Sequence, residues 1–318
     1  MMSIPAVTWD SLLINAEKFH LDMEKFTVLK EFFDRCDRKY FQECATKVNR
    51  NFPLEEVIAK FPESDLHKFL LLCIVANFGA MEEYYRANNF PQEMFDEISY
   101  DLLIWLNTLE RDLGGYGLTP RIFGWESECL RGEVKQFGRL QANDIHSFAV
   151  EKSIYRDANG ILRIARSNDP QSPADPLLTY GDKVINLHIP ASGQMTREKC
   201  IASLRKIIKF SADFHPDYDY KAIVCYSWLL DKQFGTFLSP ESNVMQFQEL
   251  GHNFPLDADE TREIIWRIWG KPGVLMQVKD LPAKSSMEKG VKQFILDGGR
   301  FIEGLLVIFK DELPELLA

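Results

Sequence analysis

Apolar side chains recur at three- and four-residue steps through the first 115 residues, a spacing that places them on one face of an α-helix. One such face, within residues 22–48, consists of Phe26, Leu29, Phe33, Cys36 and Tyr40. Further helices are predicted at 53–61, 65–88 and 91–113, the last of them ending on a pair of glycines. The pattern therefore predicts an all-α N-terminal domain, which we place at residues 1–130.

Short β-rich runs alternate with helical segments in the rest of the chain. The predicted elements are a strand at 133–145, a hairpin around the turn "DANG" at 157–160, a strand at 183–190, a helix at 196–214, a strand at 221–231, a short helix at 242–250, a strand at 262–270, a helix at 286–298 and a strand at 304–313. Residues 165–182, rich in Pro, Ser and Asp, read as a long loop. This order predicts an α/β domain at residues 131–318 with a mixed, mostly antiparallel sheet, so the fold class of the chain is α+β.

Composition and charge narrow the classes of function. The 318 residues carry a formal charge of −10 with a pI of about 5.2, which argues against binding a nucleic-acid backbone by bulk charge. The longest apolar run, Phe69–Ala76, is far shorter than the roughly 20 residues that span a bilayer, so no membrane partner is expected. The opening residues lack the basic head and apolar run of a signal peptide, which predicts a cytoplasmic location.

The six cysteines form no CxxC pair, and no histidine stands at metal-ligand spacing from them. Most of them lie inside apolar stretches, such as Cys73 in "LLLCIVA". We therefore predict buried free thiols in a reducing compartment and no metal.

The segment Ile185–Cys200, "INLHIPASGQMTREKC", joins a predicted strand to a predicted helix. Pro190 ends the apolar run, Gly193 gives the loop backbone freedom, and Thr196 suits a helix N-cap. The unpaired amides at a helix N-terminus carry partial positive charge, so such a junction can bind a phosphate. The same residues also suit an ordinary strand-to-helix turn, and the segment by itself is compatible with both interpretations.

Five segments resemble a bacterial family of acyltransferase-like proteins, in which a helical N-terminal domain precedes a core with the GNAT fold of N-acetyltransferases. They are 114–126 (GGYGLTPRIFGWE), 133–141 (EVKQFGRLQ), 185–204 (INLHIPASGQMTREKCIASL), 226–231 (YSWLLD) and 241–250 (ESNVMQFQEL). The order of predicted strands and helices is similar to that core. The likeness extends over nearly the whole chain and is weakest in the first 90 residues.

The resemblance implies that acetyl-CoA or another acyl-CoA binds at this junction as co-substrate, its pyrophosphate held by backbone amides of the loop and the helix N-terminus. The residues implied are Ile189, Ser192, Gly193, Gln194, Met195 and Thr196. Asn243, on the short helix, resembles a family position that contacts the pantetheine arm, although it also suits an N-cap. The superfamily signature is Gln or Arg, two residues, Gly, one residue, then Gly or Ala. Pro190 and Met195 depart from it at the first and last places.

Acyl transfer from a thioester needs a base for the nucleophile and an acid for the leaving thiolate. His188 is the candidate base, because strand alternation places it with Asn186 on one face, two residues before Pro190. A structural histidine is the alternative. The resemblance implies that the next strand splays from this one and leaves the thioester in the gap, where Tyr226 or Ser227 would donate a proton.

Other residues near the junction suit structural roles at least as well. Cys225 has no activating neighbour in the sequence and suits buried packing. Arg139 is expected to form a structural ion pair, with an anionic ligand as the alternative. The superfamily's usual acid is a tyrosine on the short helix, and the stretch 242–250 contains none.

The leading hypothesis is an enzyme that moves an acyl group from acyl-CoA to an amine or related nucleophile on an unidentified small molecule. A non-catalytic acyl-CoA-binding protein on the same fold is the alternative, favoured by the missing tyrosine and the departures in the loop. A third hypothesis is a module whose helical domain mainly binds another protein. Acyl-chain length and oligomeric state are not encoded in any motif found here.

Overall fold

The computed structural model describes residues 4–48, 51–166 and 176–318. The chain divides into two compact units, Met1–Gln136 and Phe137–Ala318. The division lies close to the boundary between 130 and 131 that we placed from sequence. Residues 167–175 of the predicted long loop lie outside the described residues.

The first unit is built from helices, as the apolar spacing predicts. Those within its described residues are α1 (Trp9–Lys18), α2 (Met23–Thr27), α3 (Lys30–Arg35), α4 (Arg38–Ala45), α5 (Leu54–Lys60), α6 (Glu63–Val75), α7 (Phe78–Ala87), α8 (Gln92–Ser99), α9 (Asp101–Leu113) and α10 (Pro120–Leu130). Gly114 ends α9 in the left-handed conformation (φ 68°), which glycine adopts without steric cost.

The core of this unit is centred on α6, in which every residue from Phe69 to Val75 is fully buried. Residues 63–87 are long and apolar enough to pass as a membrane span by length and composition alone. The chain turns at Ala76–Asn77 between α6 and α7, and the Asn77 side chain donates to the carbonyls of Ala45 and Cys73. Burial in a helical core therefore accounts for the apolar character of this stretch.

The second unit contains a six-stranded sheet and a separate two-stranded hairpin. Its strands are β1 (Lys135–Phe137, at the division), β2 (Leu140–Ser147), β3 (Lys152–Arg156), β4 (Leu162–Arg166), β5 (Lys183–His188), β6 (Ala222–Ser227), β7 (His252–Asp259) and β8 (Ile302–Phe309). Its helices are α11 (Arg197–Phe214), α12 (Asn243–Gln248), α13 (Thr261–Leu275), α14 (Ser286–Leu296) and α15 (Leu313–Leu316).

The large sheet has the order β1-β2-β5-β6-β8-β7. The pairs β2–β5, β6–β8 and β7–β8 are antiparallel, whereas β5 and β6 are parallel. This arrangement confirms the predicted mixed, mostly antiparallel sheet. The parallel pair is joined through α11, as a parallel connection requires.

The two faces of the sheet bury different sets of side chains. One face packs against the β3–β4 hairpin, and the cluster includes Val184, Val224, Val307, Ile154 and Phe148. The other face carries the buried residues Ile185, Leu187, Ile223 and Cys225, and the buried side of α11 includes Cys200, Leu204 and Ile207. Strand alternation thus separates a hairpin face from a helix face.

Two strand predictions were wrong, and one strand was missed. The strand predicted at 133–145 breaks at Gly138, whose positive φ of 74° turns the chain between β1 and β2. The strand predicted at 262–270 is helix α13, because Ile264 and Ile268, four residues apart, pack on the same cluster. The missed strand, β7, contains Pro255, which a strand tolerates at the edge of a sheet.

Candidate functional site

The pairing of β5 and β6 stops before the two strands end, and we call the unpaired gap between their ends the cleft. Their pairing runs from Val184–Ala222 to Leu187–Cys225. Beyond that pair, β5 continues with His188 against Gln141 of β2, and β6 continues with Ser227 against Gly304 of β8. The two strands therefore diverge at the end next to the β5–α11 loop, as the resemblance implies.

The chain leaves the sheet directly after β6. Residues Trp228–Leu230 form a 3₁₀ turn, which ends the strand predicted to run to 231. This turn crosses β8 at Gly304, where an added Cβ would lie 2.5 Å from Leu230 Cβ and 2.7 Å from the Leu230 carbonyl oxygen. The absence of a side chain at Gly304 allows this close approach.

The loop between β5 and α11 is open to solvent at its centre. Gly193 has a φ of 60°, and a Cβ at this position would find no atom of the structure within 4 Å. Ser192 is half-buried and Gln194 is exposed. Met195 is only 7% exposed, so its side chain packs inside the unit and a ligand in the loop would meet its backbone. Ile189 is half-buried at the start of the loop.

Helix α11 begins at the predicted position, with Thr196 as N-cap and its hydroxyl accepting from the Lys199 amide at 3.4 Å. The carboxylate of Glu198 accepts from its own backbone amide and from the Thr196 hydroxyl, and these hydrogen bonds lower its pKa. An acidic side chain thus accepts from one backbone amide of this helix end, in keeping with the partial positive charge of a helix N-terminus. Sequence reasoning overlooked Glu198, although Asp and Glu are typical of first helical turns.

His188 belongs to a polar network with Asn143 and Asn186. The Nε2 atom of His188 lies 2.6 Å from Asn143 Oδ1, and the Asn186 amide donates to the same oxygen at 3.4 Å. The Asn186 amide nitrogen also lies 3.3 Å from Nε2. Because the amide oxygen of Asn143 only accepts, we assign the imidazole proton to Nε2 and the lone pair to Nδ1. Burial, together with the neighbouring His146, lowers the pKa of His188 to about 4, so the ring is neutral at pH 7.

The same network contains an unsatisfied acceptor. Asn186 Oδ1 is buried and accepts no hydrogen bond within residues 4–48, 51–166 and 176–318. An orphaned buried polar atom is costly and calls for an explanation, such as a water molecule or a bound ligand. Sequence reasoning missed Asn143, which stands opposite Asn186 across β2 and β5. Only the strand register, which a single sequence does not specify, reveals this pair.

Tyr226 and Ser227 lie on opposite faces of β6. Tyr226 packs against the hairpin-face cluster, on the same face as Val224, which pairs with Asn186. Its hydroxyl is buried beside the Ala149 backbone without a hydrogen bond of regular geometry, and burial raises its pKa to about 12. Ser227 Oγ accepts from the Leu229 amide at 3.1 Å and caps the 3₁₀ turn. His188 and Tyr226 therefore share a face, whereas Ser227 has a structural partner.

The predicted pantetheine contact, Asn243, is the first residue of helix α12. Its N-cap is Ser242, and Asn243 is its exposed first residue, so an N-cap role for Asn243 is excluded. Gln248 donates to the carbonyls of Leu229 at 2.8 Å and Asp231 at 3.0 Å. These bonds attach α12 to the segment that leaves β6, so Gln248 positions the helix.

Cys225 and Arg139 are the remaining residues that the sequence singled out in this unit. Cys225 is fully buried, and burial raises the pKa of its thiol to about 12, which supports packing over nucleophilic chemistry. All six cysteines are free thiols, and five of them are buried. The structural ion pair predicted for Arg139 is wrong: within the described residues, no group accepts from its buried Nε and Nη1 atoms.

A second buried polar cluster lies in the helical unit. Asp101, Glu126 and Cys129 place one potential ligand atom each within 4.8 Å of one another, and all three side chains are buried. The Trp125 indole donates to Asp101 Oδ2 at 2.7 Å. Burial, reinforced by the Asp101 charge, raises the pKa of Glu126 well above its ordinary value. A raised pKa favours a protonated Glu126 that shares a hydrogen bond with Asp101, while Glu126 Oε1 has no hydrogen-bond partner among the described residues.

Several solved structures resemble this chain over almost its whole length. One, described as an acyltransferase in complex with decanoyl-CoA, has a TM-score of 0.69 at 18% identity and covers 96% of this chain and 89% of its own. A second, in complex with decanoyl-CoA and teicoplanin, has a TM-score of 0.67 at 17% identity, covering 96% and 90%. A third, with CoA and 10C-teicoplanin, has a TM-score of 0.57 at 15% identity, covering 93% and 98%.

These likenesses concern the fold, because the identities are low. No curated protein sequence matches the chain. The sequence model of the family described as "GNAT-like C-terminal domain" matches residues 134–305, which is more than half of the chain. The chain therefore belongs to the family of proteins with a GNAT-like C-terminal domain.

Proposed function

We propose that this chain is an acyltransferase that moves an acyl group from acetyl-CoA or a longer acyl-CoA to an amine or similar nucleophile. The observation that carries the proposal is the cleft between β5 and β6, which opens beside a solvent-exposed loop and the N-terminus of α11. The similar acyltransferases in complex with decanoyl-CoA add support.

In this proposal the phosphates of acyl-CoA bind at residues 192–196, through backbone amides that the open loop and the first turn of α11 provide. Glu198 is exposed and would have to swing away from the helix end. The remainder of the molecule would extend into the cleft, and Asn243 stays the predicted contact for its pantetheine arm.

The reaction forms a bond between the acceptor nitrogen and the acyl carbon and breaks the carbon–sulfur bond. His188, held through Nε2 by Asn143, would take the proton of the amine on Nδ1. Tyr226 is protonated at neutral pH and would return a proton to the leaving thiolate. Both side chains are on one face of the sheet, which is the arrangement that such a transfer requires.

A non-catalytic acyl-CoA-binding protein is the second candidate. Two observations favour it: α12 contains no tyrosine, and the Ser227 hydroxyl is engaged in capping the 3₁₀ turn. The prediction of a small-molecule acceptor, the absence of nucleic-acid and membrane partners, and a cytoplasmic location rest on the sequence and stay predictions.

One experiment separates the two candidates. Calorimetric titration with acetyl-, octanoyl- and decanoyl-CoA measures binding, and thiol release in the presence of a panel of amines measures transfer. We expect binding of at least one acyl-CoA and amine-dependent thiol release. Binding without release would favour the non-catalytic candidate, and no binding of any of the three would refute both.

A further inference from the structure

Arg139 stands in the turn between β1 and β2, and this turn is attached to the start of α11. The Ser203 hydroxyl accepts from the backbone amides of Arg139 at 3.0 Å and Leu140 at 3.2 Å. The same hydroxyl donates to the carbonyl of Lys199 at 3.0 Å. Arg139 is therefore fixed beside the first two turns of α11.

The strand register places Arg139 next to the β5–α11 loop. Gln141 pairs with His188 in the antiparallel ladder of β2 and β5. Extending this register by two residues sets Arg139 opposite Pro190, the first residue of the loop. Arg139 also lies close enough to Cys200, in the first turn of α11, that its charge lowers the pKa of that thiol against the larger effect of burial.

Two nitrogens of the Arg139 guanidinium have no partner among the described residues. Its Nε and Nη1 atoms are buried and make no hydrogen bond to any described residue. Burial lowers its pKa, but an arginine stays charged at neutral pH. A buried, charged donor without an acceptor is costly, and a guanidinium matches the geometry of a phosphate group.

We propose that Arg139 binds the pyrophosphate of acyl-CoA at the β5–α11 loop, from the neighbouring strand. This inference rests on the function proposed above. Pro190 occupies the first place of the loop, where the superfamily signature has Gln or Arg, and has neither a side-chain donor nor a backbone N–H. Arg139, opposite this proline, supplies the missing donors, while the loop and helix amides hold the remaining oxygens.

The test compares three ligands: CoA, 3′-dephospho-CoA, which lacks only the 3′-phosphate, and pantetheine, which lacks the pyrophosphate together with the phosphoadenosine. Affinities are measured by calorimetry for the wild-type chain, Arg139→Met, Arg139→Lys and the control Arg205→Met. Arg205 lies on α11 and donates to the Leu317 carbonyl, so its replacement removes one positive charge from the same unit.

We expect Arg139→Met to lower the affinity for CoA and for 3′-dephospho-CoA alike, by about 10- to 100-fold, because charge-assisted hydrogen bonds are lost. Pantetheine, which has no phosphate, should bind this variant and the wild-type chain equally. Arg139→Lys should recover part of the loss, since lysine keeps the charge without the bidentate geometry. Arg205→Met should leave all three affinities unchanged.

Three results would overturn the inference while the proposed function stands: CoA binding by Arg139→Met within twofold of wild type, an equal loss with Arg205→Met, or a loss confined to CoA. The last would assign Arg139 to the 3′-phosphate. If the wild-type chain binds no CoA, the proposed function fails together with the inference. If Arg139→Met does not fold, competition by inorganic pyrophosphate against CoA decides, and equal competition in wild type and Arg139→Lys would refute the inference.

Discussion

Two buried polar clusters differ in what surrounds them. In the helical unit, Glu126 and Asp101 form an acid pair, with Asp101 also bound by the Trp125 indole, and Glu126 Oε1 has no hydrogen-bond partner among the described residues. In the sheet unit, the His188 network also leaves one oxygen, Asn186 Oδ1, without a donor among those residues, but it lies at the cleft, where the β5–β6 pairing ends. An unsatisfied atom does not by itself mark a site, so it is the position at the cleft that suits the His188 network to a ligand or a reaction.

Removing the imidazole of His188 tests the difference between the two clusters most directly. If His188 is the base, His188→Ala should reduce turnover by about 100- to 10,000-fold, which is the usual contribution of a positioned acid or base. Binding of acyl-CoA should change little. Thiol release at fixed times measures turnover, and calorimetric titration measures the affinity for acyl-CoA.

Glu126→Gln is the matched control, because it removes an ionisable group from the other cluster. We expect it to leave turnover within about twofold of wild type, measured with the same thiol-release assay. Unchanged turnover in His188→Ala would assign the histidine to a structural role.

The loop that borders the cleft offers a second test. Gly193→Gln places a side chain on a backbone with φ of 60° and alters the path of the amides, so we expect acyl-CoA affinity to fall by about tenfold. Gly160, in the β3–β4 turn, has φ of 78° and equally open surroundings. Gly160→Gln should therefore cost similar stability, measured by urea unfolding, without affecting affinity. Equal affinity losses in both variants would argue against a phosphate site at Gly193.

The two clusters should also respond to pH in opposite directions. The pKa of Glu126 is raised by folding, so its contribution to stability is complete below about pH 4.5 and is lost as pH rises. The pKa of His188 is lowered to about 4, so its contribution is complete above about pH 6.5 and is lost as pH falls toward 4.

Urea unfolding of wild type, Glu126→Gln and His188→Asn between pH 4 and 8 measures how the free energy of unfolding changes with pH. Relative to Glu126→Gln, the wild-type chain should lose stability as pH rises. Relative to His188→Asn, it should gain stability as pH rises toward 6.5. Difference curves with the same sign would contradict the assigned protonation states.

The smallest expected effect concerns the acidic side chain at the start of α11. Glu198→Gln removes a charge that competes with phosphate at the helix N-terminus, so acyl-CoA affinity should rise by about two- to fivefold at low salt. Glu241→Gln, which removes an exposed charge just before α12, is the control and should have no such effect. A fall in affinity on removing Glu198 would place the phosphates elsewhere.

The sequence was most informative where the signal is local. Thr196 and the apolar spacing behind it predicted the start of α11, and the apolar run ending at Pro190 predicted β5. Prediction failed where tertiary contacts determine whether a segment is a helix or a strand. Ile264 and Ile268 fit a helix as well as a strand until their shared packing is known, and Pro255 lies in a strand because that strand is at the edge.

The residues of the candidate site likewise fall into those that the sequence indicates and those that only the structure reveals. The loop and His188 could be proposed from sequence because they follow one another along the chain. Asn143 and the unpaired guanidinium of Arg139 were not, since the first depends on strand register and the second on which partners are absent within the described residues. Long-range relations of this kind are not expressed in local periodicity.

The close packing at Gly304 restricts which residues can occupy this position in related sequences. A side chain there would meet the main chain of Leu230 as well as its Cβ, with the carbonyl carbon only 2.8 Å away. A smaller residue at position 230 would therefore not restore the fit unless the main chain also moved. In related sequences we expect glycine here wherever the chain leaves β6 by the same path, and a different residue should signal a rebuilt wall of the cleft.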